Sequence, residues 1–211
     1  MKNLTAILLM CFFLILNNYS IAQKFKYQKI STDVKKESKK YEKEGWNNFP
    51  GSMPIGQQLN STFNKQNELD EEGMQKWFFA TGISVAQTMA AAEMQANELA
   101  KNDLVQQVES DIKSFAETNL ANNQLSKDEA ASITKTVNVV TNKVAQKLGR
   151  VVPLLRIYRE TPNNYEVQVQ VGYNIASAKK IMLEEVKKEL GSDADKIKEK
   201  LSSFLYSDKK N

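Results

Sequence analysis

Hydrophobic residues recur with a helical period along two long stretches of the chain. In the first, roughly residues 84–120, apolar side chains return every three or four residues. In the second, a similar stripe follows a capping box formed by Ser126 and Glu129. The stripes comprise Val85, Met89, Ala92, Ala96, Leu99, Ala100, Leu104, Val108, Ile112 and Phe115, then Ala130, Ile133, Val137, Val140, Val144 and Leu148. Two long amphipathic helices joined by a short link favour an antiparallel pair.

A period of two predicts the strands. Residues 165–173 alternate strictly, and residues 151–160 form a partner strand across the turn residues 161–164. Residues 77–83 are also rich in strand formers. The alternation predicts a sheet with one buried face and one solvent-exposed face. The buried face would hold Leu155, Ile157, Val167, Val169, Val171 and Tyr173.

The order of these elements predicts the fold class. A strand is followed by a helical hairpin, a β-hairpin and a helix over about residues 175–190, and then by a short helix that contains Ile197, Leu201, Phe204 and Leu205. This order predicts an α+β fold in which a small antiparallel sheet packs on a long antiparallel helical hairpin plus C-terminal helices. We assign residues 76–206 to this single domain and residues 207–211 to a polar tail.

The first 22 residues have the three parts of a secretory signal peptide. Lys2 is followed by an apolar run over residues 6–16 and by small residues at Ser20 and Ala22. The run is too short to span a bilayer, which needs about 20 residues. Cys11 lies inside the run after Met10, where lipidation is not expected. The sequence therefore predicts an exported protein of the periplasm or outer membrane that is neither transmembrane nor lipidated.

Two further segments precede the domain. Residues 23–44 form a basic leader arm, with eight lysines against three acidic residues in 24–43, which could contact an anionic membrane. Gly and Pro punctuate residues 45–75, so we interpret these residues as an extended segment that wraps the body. Trp46 and Phe49 would anchor this segment to the body, because a disordered linker is poor in aromatic residues.

The composition excludes several chemistries. The chain has no His, and its single Cys lies in the predicted signal peptide. Ser-His-Asp and Cys-His catalysis, disulfides and zinc sites of the His/Cys kind are therefore excluded from the mature chain. The acidic cluster Glu68, Asp70, Glu71 and Glu72 fits a solvated loop better than a carboxylate pair across a cleft. We predict that the protein is not an enzyme and holds no cofactor or metal.

The solvent-exposed face of the β-hairpin is the candidate interaction face. It combines charged, aromatic and amide side chains on a rigid platform, and Tyr and Arg are favoured at interfaces. The alternative is an ordinary solvated face. The candidate residues are Arg156, Tyr158, Glu160, Glu166, Gln168 and Gln170.

Several of these segments also resemble a known family. The strand ATGIS at 80–84, the alanine-rich helix AAEMQANELA at 91–100 and the hairpin RVVP, YRE and YEVQVQV at 150–171 resemble the LPP-twenty lipoprotein-fold family, over about residues 76–185. The resemblance implies a non-enzymatic, assembly-type envelope protein, in a family that includes outer-membrane lipoproteins and flagellar accessory proteins such as FlgP and FlgT. It implies no catalytic residue. Many members are lipidated, whereas this chain lacks a usable lipidation signal.

These observations lead to one functional hypothesis and two alternatives. The leading hypothesis is an exported, non-enzymatic cell-envelope protein that acts through protein–protein contacts, as an oligomeric or scaffold component. Its partner would be an envelope protein or a second copy, and nucleic acid is not expected. The first alternative is a periplasmic binding module for a small ligand or glycan, which needs a concave pocket. The remote alternative is a carboxylate-dependent hydrolase.

Overall fold

Five helices and four strands make up the part of the chain that the computed structural model describes, residues 30–122, 125–148 and 151–190. The predicted signal peptide, residues 23–29 of the basic leader arm, the final short helix and the tail lie outside these residues. The elements are α1 (Thr32–Lys43), β1 (Asn47–Asn48), α2 (Ile55–Gln66), β2 (Trp77–Ala86), α3 (Met89–Ala121), α4 (Lys127–Lys147), β3 (Val152–Thr161), β4 (Asn164–Asn174) and α5 (Ile175–Leu190).

The strands form one antiparallel sheet in the order β1-β3-β4-β2. β3 and β4 are joined by the predicted turn and pair from Thr161 and Asn164 onward. β2 pairs with β4 along its whole length and, within the described part of the chain, lies at the edge of the sheet. The α+β fold class predicted from the sequence is confirmed.

The helical hairpin covers one face of the sheet through α3, while α4 packs on α3 and α5 packs mainly on α4. Its core unites the valines of β4 with the small residues of α3 and the stripe of α4, all of which are buried. The capping box that starts α4 is formed as predicted: the Glu129 amide donates to Ser126 Oγ, and the Ser126 amide donates to the Glu129 carboxylate. The predicted stripe of α3 is wrong at two positions, because Val85 lies in β2 and Leu99 is exposed.

The second face of the sheet is covered in part by α1 and α2. Their apolar residues form a separate small core with Leu155 and Ile157 of β3. The prediction that these two residues face the same way as the β4 valines is therefore wrong. It assumed that only one face of the sheet is buried, whereas apolar layers cover β3 on both sides. The members of this core are Val34, Trp46, Ile55, Leu59, Leu155 and Ile157.

The N-terminal segments are more regular than their sequence suggested. Residues 45–75 are not an extended segment, since they contain the helix α2. Pro54 stands at the N-cap of that helix, and Gln58 donates its amide to the Met53 carbonyl. Trp46 and Phe49 are buried on the body as expected. No helix in the described ranges is both long and apolar enough to cross a membrane.

Candidate functional site

The structure divides the six residues of the predicted interaction face between the two faces of the sheet. Residues directly opposite in an antiparallel pair point to the same side. Tyr158 lies opposite Val167, so it faces the helical hairpin, as do Arg156 and Glu160 two residues away on either side. Glu166 belongs to the other face, together with Gln168 and Gln170. The six residues therefore do not form one surface.

The three residues that face the helical hairpin mainly stabilise the fold. The Arg156 guanidinium bonds the Glu93 carboxylate of α3 at 2.9 Å and lies 4.5 Å from the centre of the Phe49 ring. Tyr158 meets Phe49 edge-on, with 5.3 Å between the ring centres. It also packs against the core between the sheet and the helical hairpin. Glu160 is exposed beyond them.

The residues on the other side line an open groove between α1 and the sheet. Arg159 bonds the Glu166 carboxylate at 2.7 Å and lies 4.8 Å from the Trp46 ring centre. The Gln168 amide donates to the Tyr41 hydroxyl at 3.4 Å. The groove has a volume of about 550 Å³, and a smaller hollow of about 250 Å³ adjoins it towards α2. The larger part is lined by Glu37, Lys40, Tyr41, Glu44, Trp46, Ile83, Arg159, Glu166 and Gln168.

The floor of the groove continues onto β2, where apolar side chains are exposed. Ile83 is 49% exposed and Val85 is 54% exposed. Thr81 precedes them on the same face and is also exposed. Sequence reasoning missed this surface, because it ended the strand at Ile83 and assigned Val85 to the helix. A signal was present, since Phe79, Thr81, Ile83 and Val85 continue the two-residue period of the strand.

The ladder between β2 and β4 shows which backbone groups of β2 do not bond to β4. Opposite residues alternate between pairs that exchange hydrogen bonds and pairs that do not. The Ile175 amide donates to the Lys76 carbonyl, so the even-numbered residues of β2 bond to β4. The odd-numbered residues direct their N–H and C=O groups outward. Gln107 of α3 donates to one such group, the Phe79 carbonyl, at 2.9 Å.

β2 also lacks the usual protection of an edge strand. Proteins commonly place charged residues or prolines on exposed edges to prevent pairing with another chain. The ten residues of β2, WFFATGISVA, include neither. The edge of β2 from Thr81 to Val85, together with the exposed side chains of Ile83 and Val85, is called the open edge below.

The acidic cluster has a structural role at two of its residues. The Glu68 carboxylate accepts a hydrogen bond from the Trp77 indole at 2.6 Å, and this bond lowers the pKa of Glu68. The Asp70 carboxylate accepts from the backbone amides of Glu72 and Met74 and holds the turn between them. Among the described residues, no group of three or more acidic, His or Cys side chains could hold a metal ion.

Comparison with known proteins identifies no relative of this chain, so its function is inferred from the groove and the open edge. No protein-family model matches the chain. No curated protein and no solved structure matches it either. The resemblance to the LPP-twenty lipoprotein-fold family therefore stays a prediction from residues 76–185.

Proposed function

We propose that this chain is an exported, non-enzymatic protein of the cell envelope that acts by binding other proteins. The signal-peptide pattern of residues 1–22 supports the export part of the proposal. The open edge carries the binding part. It places exposed apolar side chains beside outward-facing backbone groups, and both kinds of group gain by contact with another chain.

The open edge is held rigidly, as a binding surface should be. β2 pairs with β4 along all ten of its residues. On its other side it packs tightly against α3, whose Ala96 and Ala100 backbones lie beside Gly82. A preformed surface loses little conformational entropy on binding, so more of its contact energy appears as affinity.

The groove beside α1 favours a second candidate function, the binding of a small ligand or glycan. Tyr41 and Trp46 line it together with the polar groups of Arg159, Glu166 and Gln168. An aromatic wall with a few convergent polar groups is typical of ligand sites. The groove is open to solvent along the sheet, however, and the space between the sheet and the helical hairpin is filled by fully buried side chains.

Site-specific photo-crosslinking in cells tests the proposal. Ile83 is replaced by p-benzoylphenylalanine in the full chain, and in a control the same substitution is made at Val139, which is 51% exposed on α4. We expect the probe at position 83 to form a protein adduct of defined mass and the probe at 139 to form none. The cells are fractionated, and the N-terminus of the mature chain is mapped by mass spectrometry.

Each part of the proposal has its own contradicting result. A chain that stays in the cytoplasm with residues 1–22 attached would contradict export. Equal adducts at both positions would indicate collision rather than binding. The lack of any adduct at 83, combined with glycan-induced shifts of the Tyr41 and Gln168 NMR signals, would favour the second candidate.

A further inference from the structure

We infer that the open edge binds an extended peptide segment of a partner protein, which adds to the sheet as a fifth strand beside β2. The inference rests on the proposed function and specifies the chemistry of the partner. Strand addition draws its affinity from backbone hydrogen bonds and its specificity from alternate side chains.

The outward-facing backbone groups of the open edge set the length of the docked strand. Thr81, Ile83 and Val85 each direct one N–H and one C=O outward, because their even-numbered neighbours bond to β4. Towards the start of β2, Gln107 occupies the carbonyl of Phe79. A partner strand that pairs with three alternate residues would therefore span about five residues.

One ridge of α3 borders the same edge. Gln95 accepts a hydrogen bond from the Ser84 hydroxyl at 2.6 Å, and Gln107 donates to Phe79. Leu99 and Asp103 lie between these two glutamines at four-residue steps, which place them on the same helix face. Leu99 is 50% exposed. Within the described part of the chain, no hydrogen bond or ion pair involves the Asp103 carboxylate.

The ridge specifies which side chains the partner strand should carry. Leu99 and Asp103 are separated by about 6 Å along the helix. Two residues of a strand advance by about 6.6 Å. Side chains on the α3 side of a docked strand can therefore place an apolar residue against Leu99 and, two positions away, a lysine or arginine against Asp103. On the opposite side, β-branched or apolar residues would pair with Ile83 and Val85.

A second copy of the chain fits this edge less well than a peptide. Antiparallel pairing of β2 with its own copy would put both α3 helices on the same face of a continuous sheet. Because α3 lies directly over Gly82, the two helix axes would be separated by about one strand spacing, 4.8 Å. Packed helices need about 8–10 Å between their axes. An extended peptide has no such helix to place there.

Binding of synthetic peptides to residues 23–211 tests the inference. The probe is a fluorescein-labelled nine-residue peptide with valine, leucine, lysine and valine at its four even-numbered positions and threonine at the other five. A second peptide has glutamate in place of lysine, and a third has N-methyl groups on the backbone amides of alternate residues. We expect the lysine peptide to bind about tenfold more tightly than the glutamate peptide, and the N-methylated peptide to lose binding.

Two variants separate strand addition from other modes of binding. Ile83→Pro removes an outward N–H without breaking the β4 ladder, and proline is tolerated on edge strands. We expect it to abolish binding while circular dichroism and the unfolding midpoint change little. Asp103→Lys leaves β2 untouched and should reverse the preference towards the glutamate peptide. Val139→Lys is the control and should change neither affinity.

The outcomes separate this inference from the proposed function. A photo-adduct at position 83 without binding of any peptide would overturn strand addition and leave protein binding intact. Tighter peptide binding after deletion of residues 23–29 would show that the chain's own segment occupies the edge, and concentration-dependent dimers lost in Ile83→Pro would show a second copy there. Either result would overturn the inferred partner.

Discussion

Gly82→Ala is expected to destabilise the protein by about 3 kcal/mol or more. An added Cβ at this position would overlap the backbone carbonyl oxygen of Ala96 and lie 2.8 Å from the backbone nitrogen of Ala100. Both atoms belong to the middle of α3, so neither can rotate away as a side chain could. Relief would require the whole helix to move from the sheet. The free energy of unfolding from urea titrations measures the effect.

Gly172→Ala in β4 is the matched control. Its added Cβ would lie 2.9 Å from a methyl carbon of Leu154. That atom is the end of a flexible side chain and can shift, so we expect a much smaller loss of stability. Equal losses in the two variants would contradict the close contact between β2 and α3. Such a result would also remove the reason why a second copy fits the open edge less well than a peptide.

Trp46→Ala is expected to cost about 3–5 kcal/mol. Trp46 is buried in the small core of α1, α2 and β3, where Tyr41 meets its ring edge-on and the Arg159 guanidinium lies over it. Its removal leaves a large void and takes away the ring over which the Arg159 guanidinium lies. Chemical denaturation followed by circular dichroism measures the loss and shows whether α1 and α2 unfold before the sheet.

Phe63→Ala is the aromatic control for this prediction. Phe63 lies on α2 but is 50% exposed, so its truncation should change stability by no more than about 0.5 kcal/mol. A small effect of Trp46→Ala, comparable to that of Phe63→Ala, would show that α1 and α2 do not form a stabilising layer. The groove would then lack a fixed wall.

The regular parts of the fold could be predicted because burial follows a simple period there. The stripe of α4 from Ala130 to Leu148 and the valines of β4 are buried as their spacing predicts. Each of these elements has one apolar face and one polar face. The spacing of the apolar residues therefore predicts both the type of element and which of its faces is buried.

The layer of α1 and α2 could not be predicted in the same way. Gly51, Pro54 and Gly56 surround the start of α2 and resemble a loop, although proline at a helix start is compatible with its fixed φ. The apolar residues of this layer are few, and half of the buried residues of α1 and α2 are Ser, Gln, Asn or Thr. Its partners Leu155 and Ile157 were consequently assigned to the wrong face.

The candidate site was missed where a strand passes into a helix. Val85 fits a strand at period two and a helix at period 3.6, and only the sheet register decides between them. Leu99 fits the helical stripe of α3, yet the close approach of that helix at Gly82 turns it away from the core. Val85 belongs to the open edge and Leu99 lies beside it. Which strand forms an edge depends on the strand order of the sheet, and local sequence does not show that order.

Amide hydrogen exchange along β2 in the free, full-length mature chain tests the central claim most directly. We expect the exchange rates to alternate along the strand: the amides of Phe78, Ala80, Gly82 and Ser84 exchange slowly, because they bond to β4. The amides of Thr81, Ile83 and Val85 should exchange rapidly, since they face solvent at an unpaired edge. Equal protection of both sets would contradict the account, because it would mean that another strand already covers the open edge.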